Sequence, residues 1–394
     1  METLWIAAQT ILGLVILFLG GRNLVAGACG LATACSISPL VVGLTVVALG
    51  TSAPELAVTL RAALGSTVDL GIGNVVGSCI FNVLVILGIT AVLRPLEISA
   101  RLVRAEVPIM IALCGLTWLL ALGGSFLVWH GGLLVALLVL YTLWTVQQAN
   151  KERREFQAAL VELTGSCPQW QWRNVLRQSL ACLLGIILLV WGADWLVKGG
   201  VGLARTLGVS EAVIGLTLVA GGTSLPELAT TLVAGARGRS DIAVGNVVGS
   251  NILNLLAVLG PATLLAGRPL PVSPEIVNLD LPVMFGAAMV CLPLLWTQNR
   301  VDRWEGVLLL VLYTLYAGHL YLAAWLPNWD RSFSFVAATF VLPCLALAIF
   351  LSLVQAWCGR RRSEPLAADK GPARVEEQLA ADPIKNPPHS RGIQ

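Results

Sequence analysis

Two glutamates, Glu55 and Glu227, each stand in the middle of an otherwise apolar segment. Each ends a short polar run, Thr51-Ser52-Ala53-Pro54-Glu55 in the first case and Thr223-Ser224-Leu225-Pro226-Glu227 in the second. Threonine and glutamate are four apart and serine and glutamate three apart, so a helix puts all three side chains on one face. A carboxylate at the centre of a bilayer costs about 3 kcal/mol on insertion scales. No Lys or Arg stands at comparable depth to balance it: Arg22 and Lys198 lie near the ends of their segments, Arg61 lies beyond the motif, and a pairing of Arg22 with Asp194 would sit elsewhere. Compensation must come from a bound cation, a proton, or the two in exchange.

A second polar stripe follows each glutamate. Asn74, Ser78 and Asn82 recur at i, i+4 and i+8, and Asn246, Ser250 and Asn254 repeat the pattern. Gly73 with Gly77, and Gly245 with Gly249, form GxxxG steps that let another helix approach closely, and the glutamate-bearing segments are the expected neighbours. Pro54 and Pro226 have no N–H to donate and crowd the carbonyl one turn back, which predicts a kinked or broken helix. Carbonyls freed there, around Ala48 and Leu49 in the first copy and Ala220 in the second, would be neutral ligands, since irregular backbone at membrane depth needs something to satisfy it. Carboxylates, hydroxyls, amides and carbonyls are all hard oxygen donors, with no imidazole and one thiol, Cys79, nearby. Such a set suits Ca2+, which takes about 6 to 8 oxygens, and Na+ of similar radius, and it disfavours soft metals. One Ca2+ neutralises both glutamates, and so do two Na+.

These residues need elements to hold them, and the composition says which kind. Of 394 residues 57% are hydrophobic and 12% charged, against roughly 25% charged in soluble domains, so the chain is an all-α polytopic membrane protein. Spans of about 20 apolar residues fall at 4–30, 38–64, 69–93, 103–123, 126–149, 179–204, 209–235, 240–265, 278–297, 303–325 and 333–358. A polar stretch, Asn150 to Gln178, separates the fifth span from the sixth; Trp170 and Trp172 in it read as interfacial aromatics. A charged, proline-containing tail, 359–394, is expected to be disordered. The start METLWIAAQ lacks the basic region of a leader, so the first span is expected to be retained. A net charge of +3 gives no reason to invoke nucleic acid. Nine cysteines without CxxC spacing imply neither a disulfide framework nor a zinc site, and His130, His319 and His389 are isolated.

The chain is also written twice. GLTVVALGTSAPEL from Gly43 returns as GLTLVAGGTSLPEL from Gly215, GNVVGSCIFN from Gly73 returns as GNVVGSNILN from Gly245, and LLVLYTL at Leu137 returns at Leu309, each 172 residues on. Between the last two anchors the shift becomes 174, aligning Glu106-Val107-Pro108 with Asp280-Leu281-Pro282. Each half, 1–149 and 179–326, therefore holds five spans. Five is odd, so the second half enters the membrane from the opposite face and the repeats are inverted. Lys and Arg collect in cytoplasmic loops. With the N-terminus outside, fifteen of them fall inside, among them Arg94, Arg153, Arg237 and Arg360, and at most five outside. The expected orientation is N-terminus outside and tail in the cytoplasm, in the cell membrane, or the inner membrane of a bacterium.

The paired GTSxPEL and GNxxGSxxxN motifs resemble the alpha repeats of the sodium/calcium exchangers, within the cation/calcium antiporter superfamily, and the likeness covers residues 4 to 325. It implies ten core helices in two inverted five-helix repeats, a midplane site built from spans two, three, seven and eight, and alternating access by sliding of the long first and sixth helices. By matching position the cation ligands would be Glu55, Glu227, Thr51, Ser52, Thr223, Ser224, Ser78, Ser250, Asn82 and Asn254 with the backbone oxygens of Ala48 and Ala220, and Asn74 and Asn246 behind them. Ca2+ at Glu55 and Glu227 is then a transported substrate, as is Na+, and no cofactor is implied. Several members carry an aspartate where this chain has Asn254, and Cys79 stands where the second half has Asn251. The eleventh span exceeds the ten-helix core. The stretch 150–178 is too short for a calcium-sensing module, as in prokaryotic-type members.

Three classes of function can be set against these residues. A secondary antiporter accounts together for the doubled halves, the broken helices and the midplane carboxylates. A channel would use the polar stripes but not the paired breaks, and an intramembrane enzyme lacks an HExxH motif or any histidine near the glutamates. Within the first class, exchange of Na+ for Ca2+ and proton-coupled exchange both remain, because a buried glutamate can titrate.

Overall fold

The computed structural model describes residues 2–65, 67–164, 172–206, 220–296 and 299–325; the eleventh apolar segment and the tail lie outside them. In lipid every backbone N–H and C=O must find its partner within the span, and the long Leu, Val and Ala runs do so as helices. The first span is Glu2–Cys35. The second is two helices, Pro39–Thr51 and Ala53–Leu64, bent by 47°. Val68–Leu93, Leu102–Ala121, Val128–Thr164 and Trp172–Thr206 form the third to sixth. Of the seventh, Ala220–Gly222 and Leu225–Ala236 are described. Ser240–Leu265, Ile276–Leu294 and Arg303–Trp325 complete the set. Among the described residues eight helices are long and apolar enough to cross a membrane, and the bent pair makes a ninth.

The fifth helix runs on to Thr164 and the sixth begins at Trp172, so much of the polar stretch after residue 149 is helical. Lys, Glu, Arg and Gln are good helix formers, and polarity ends a span without ending a helix. Trp172, at the first position of the sixth helix, is exposed.

Burial separates centre from rim. Of the most apolar stretch of each helix, 94% is buried in the eighth and 78% in the third, against 28% in the fifth and sixth. The two polar stripes therefore lie on the innermost helices, while Leu140, Trp191 and Leu184 on the outer ones face outward. Two short antiparallel pairings tie the halves together at their loops: β1 (Leu96–Glu97) with β4 (Arg300–Val301), and β2 (Ser125–Phe126) with β3 (Leu270–Pro271). Ile98 N–H donates to Asn299 O at 2.8 Å, and Val272 N–H donates to Gly124 O at 3.0 Å. The second contact is the first with the halves exchanged. The acid two residues before the proline of the fourth and ninth spans is likewise held alike, Tyr141 Oη donating to the buried Glu106 Oε2 at 3.0 Å and Tyr316 Oη to the part-buried Asp280 Oδ1 at 2.8 Å.

The first and sixth helices form the longest pairing, antiparallel, and glycine makes it close. Gly13, Gly20 and Gly27 on one, and Gly185, Gly192 and Gly199 on the other, recur every seven residues. A Cβ on Gly13 would lie 2.5 Å from Leu196 N, and one on Gly192 would lie 2.5 Å from Leu17 N. Where hydrophobic drive between helices is missing, such backbone-to-backbone approach supplies the packing. Gly245 and Gly249 play the expected part against the second span: a Cβ on them would lie 3.2 Å from Leu40 O and 2.8 Å from Leu44 Cα respectively. The matching surface for Gly73 and Gly77, residues 207–219, is outside the described residues. Arg22 and Asp194 do not pair. The antiparallel register sets Arg22 about two turns from Asp194, which instead bonds Lys198 one turn along its own helix at 2.7 Å.

Two arginines cap the glutamate-bearing helices of the opposite half. Arg268 Nη2 donates to Gly65 O at 2.7 Å, just past the end of Ala53–Leu64, and Arg94 Nη1 donates to Ala236 O at 3.1 Å, the last residue of Leu225–Ala236. A cation at an exposed helix C-terminus contributes about 0.5 kcal/mol. Arg94→Ala and Arg268→Ala should each lower the thermal midpoint of the purified protein slightly, and because the caps share no partner the double variant should show the sum.

Candidate cation site

Each glutamate lies in the first turn of a new helix. The second span breaks at Ser52 (φ −81°, ψ 8°) and the seventh at Ser224 (φ −88°, ψ 6°), with proline at the second helical position and glutamate at the third. Proline is tolerated there because first-turn N–H groups have no intrahelical acceptor, and the positive end of the helix dipole favours a carboxylate. The break thus supplies part of the compensation as N–H dipoles. The expected free carbonyl at Ala48 is not found: it accepts from Ser52 N–H at 3.0 Å, with Thr51 Oγ1 3.3 Å away. The chain stays helical through Ala48 because Pro54 denies its missing donor to Gly50, two residues further on. Ala220 opens the described part of the seventh span.

The two halves meet at these breaks. Ser52 Oγ donates to Glu227 Oε1 at 3.1 Å, and Ser224 Oγ donates to Glu55 Oε1 at 3.1 Å. Each serine thus serves the carboxylate of the other half, and both glutamates are 0% exposed. Behind them Thr51 Oγ1 donates to Asn246 Oδ1 at 3.3 Å, and Thr223 Oγ1 to Asn74 Oδ1 at 3.1 Å. The amide nitrogens of Asn246 and Asn74 then donate to Thr231 Oγ1 at 3.0 Å and Thr59 Oγ1 at 3.3 Å. Thr59 and Thr231 escaped the reading of the sequence. Their signal was present: each lies four residues after its glutamate, one turn along the same face.

Symmetry stops at the inner ring. Ser78 Oγ lies 2.9 Å from Ser224 Oγ and 3.4 Å from Glu55 Oε1, and it accepts from Asn254 Nδ2 at 3.1 Å. Its twin Ser250 has no hydrogen-bond partner among the described residues, and Asn82 Nδ2 turns instead to Asn251 Oδ1 at 3.1 Å. The difference between the halves is Cys79: a thiol stands where the second half has Asn251, it offers Asn254 a weaker acceptor than an amide oxygen, and Asn254 donates to Ser78. Cys79→Asn should supply that acceptor, release Ser78 Oγ toward the centre, and tighten Ca2+ binding by about fivefold, the worth of one hydrogen bond near 1 kcal/mol. Isothermal titration with Ca2+ reads it.

A local feature follows the two amides. Asn82 begins a π-helical turn, Asn82–Leu87, and Asn254 begins its counterpart, Asn254–Leu259. Such bulges occur often at functional sites; Asn82 N–H still reaches Ser78 O and Asn254 N–H reaches Ser250 O, so both asparagines keep the i, i+4, i+8 stripe.

Of the buried oxygens without a hydrogen-bond partner among the described residues, five belong to these side chains: Glu55 Oε2, Glu227 Oε2, Asn82 Oδ1, Asn254 Oδ1 and Ser250 Oγ. Unpaired buried carboxylate oxygens are costly, and hard oxygen donors of this kind suit a Ca2+ or Na+ ion. Among the described residues no three His, Cys, Asp or Glu side chains gather as a transition metal would need.

The family described as sodium/calcium exchanger protein matches residues 5–147 and again 178–322. CaxA of Alkalimonas amylolytica is 36% identical over 315 residues, 78% of this chain and 95% of that protein. The sodium/calcium exchanger MaX1 of Methanosarcina acetivorans is 32% identical over 336 residues, 78% and 95%, and the inner membrane protein YrbG of Escherichia coli K12 is 34% identical over 322, 80% and 96%. Among solved structures, the sodium-calcium exchanger NCX_Mj soaked with zero Na+ and Ca2+ superposes with a TM-score of 0.69 at 28% identity, covering 81% of this chain and 99% of that one. A multi-pass helical fold, halves that each match the same family, and a buried cluster of hard oxygens agree: the chain belongs to the sodium/calcium exchanger family, membrane antiporters of cations and Ca2+.

Proposed function

We propose that the chain exchanges Na+ for Ca2+ across the membrane at one shared site, by alternating access. The observation that carries the reading is the exchange of serines, Ser52 to Glu227 and Ser224 to Glu55, because two carboxylates so interlocked act on one ion rather than on two separate ones. Glu55 and Glu227 bind Ca2+ directly, with Asn82, Asn254, Ser78, Ser250, Ser52 and Ser224 as neutral oxygens around it. Thr51 and Thr223 orient the ring through Asn246 and Asn74.

The loop contacts fit inverted repeats. In an inverted pair of five-span units with the N-terminus outside, the loops after the third and ninth spans lie inside, and those after the fourth and eighth lie outside. The first two are joined by β1 and β4 and the last two by β2 and β3. Arg94 and Arg268 bridge loops paired by the same parity. The glycine seam lets the first and sixth helices travel as one body past the site.

In sealed vesicles of the purified protein, an outward Na+ gradient should drive uptake of radiolabelled Ca2+, and collapse of that gradient should stop it. Uptake that follows a pH gradient and ignores Na+ would replace this reading with proton-coupled exchange, and uptake indifferent to both gradients would mark a channel.

A further inference from the structure

The sixth helix, Trp172–Thr206, turns Gly185, Gly192 and Gly199 to the first helix, and on a second face it touches both broken spans. At 3.6 residues per turn each residue advances by about 100°, so Ile186, next to Gly185, points about a quarter turn away from the glycine seam. Val197, eleven residues on, returns to within about 20° of the same direction, about three turns further along. Each of the two meets a glycine. A Cβ on Gly50 would lie 2.7 Å from Ile186 Cγ1 and closer still to Cδ1, and one on Gly222 would lie 2.5 Å from Val197 Cγ2. Gly50 and Gly222 are counterparts in the repeat, and each stands two residues before the serine at which its span breaks.

The glycines are equivalent, but their partners are not. Ile186 corresponds to Leu14 of the first helix, 172 residues earlier, so strict exchange of the halves would seat Leu14 against Gly222. Val197 of the sixth helix stands there instead. One helix therefore bears on both breaks, at points about 16 Å apart along its axis, and movement along that axis shifts both contacts at once. Sliding of packed helices is an established means of switching between two states. Resting on the alternating-access reading above, we infer that Ile186 and Val197 are positioning residues: seated in the two glycine notches, they pass the travel of the first and sixth helices to both glutamate-bearing spans together. One break is then not reset without the other, and they act on the ion only through the breaks.

The test moves a methyl group across each contact in proteoliposomes of the full chain, reading Na+-driven uptake of radiolabelled Ca2+ per folded molecule beside equilibrium Ca2+ binding in detergent. Gly50→Ala overpacks the notch and should slow uptake about tenfold while Ca2+ binding stays unchanged. Ile186→Ala removes the atoms in the way and leaves its Cβ 3.9 Å from the new methyl, so Gly50→Ala/Ile186→Ala should return to within about twofold of the parent rate, as coupled neighbours do. Gly222→Ala with Val197→Ala, whose Cβ lies 3.7 Å away, should behave as a second such pair, and the crossed pair Gly50→Ala/Val197→Ala should stay slow. Recovery of rate in a matched pair does not come from misfolded protein, so the double variants carry the decision. Parent-like rates in both glycine variants, matched pairs that stay slow, or a crossed pair that recovers as fully as a matched one each overturn the inference and leave Na+/Ca2+ antiport standing. A fall in Ca2+ binding equal to the fall in rate overturns it too, since the glycines would then act on the site itself. Absence of Na+-driven Ca2+ uptake by the parent chain removes the antiport reading and this inference with it.

Discussion

Glu55→Gln and Glu227→Gln are each expected to abolish Na+-driven Ca2+ uptake while leaving the amount of folded protein in the membrane unchanged. Glutamine keeps the size of the side chain and an oxygen acceptor, so packing and the bond from Ser224 or Ser52 survive. The variant removes half of the charge that faces a divalent ion. Leaving one partner of a buried ionic pair uncompensated costs about 3 kcal/mol or more, so Ca2+ affinity should fall at least about a hundredfold. Folding moves the other way if at all, because among the described residues Glu55 Oε2 and Glu227 Oε2 are buried without hydrogen-bond partners and a neutral group there is easier to bury. The equality of the two effects is the discriminating part. Two independent sites would leave each single variant with about half the flux, whereas one site made by both halves leaves neither variant with any. Uptake measured beside a quantitative immunoblot decides it, and retained flux in both variants would sink the assignment.

How much of this was open to inspection in the chain depends on whether the cause was local. The repeat, the spans and the expected facing of Thr51, Ser52 and Glu55 follow from spacing alone; the structure places helices at the spans it describes, and the eleventh lies outside the described residues. The partner of each side chain was hidden. A helix period says that Thr51 and Glu55 share a face, but only the fold says that Thr51 meets Asn246 and that Ser52 meets Glu227. The π turns at Asn82 and Asn254 were hidden too, since no residue type announces the extra residue of a bulge. Proline announced the break correctly and misled on its consequence: the helix before it holds as far as Ala48, whose carbonyl remains bonded. The cysteine at position 79 was visible as a departure from its twin, and what it does became visible only when Asn254 was found on Ser78.

The largest expected effect on folding lies not at the carboxylates but at the glycine seam. Gly192→Val would put a Cβ 2.5 Å from Leu17 N and 3.0 Å from Gly13 O, both backbone atoms that no rotamer change can move. The two long helices would have to separate along their shared length. Overpacking of this kind costs about 3 kcal/mol, and the loss is compounded because in lipid close packing is the main attraction between helices. The variant should accumulate poorly and unfold at a much lower temperature in detergent. Gly13→Val meets the same crossing from the other helix, with a Cβ 2.5 Å from Leu196 N; once one side has forced the helices apart, the second substitution finds room, so the double variant should be less destabilised than the sum. Gly286→Ala supplies the contrast. Nothing approaches within 4 Å of its Cβ, and alanine is the better helix former by about 1 kcal/mol, so this variant should equal or exceed the parent in thermal stability. If Gly192→Val melts with the parent, the seam does not hold the first and sixth helices together.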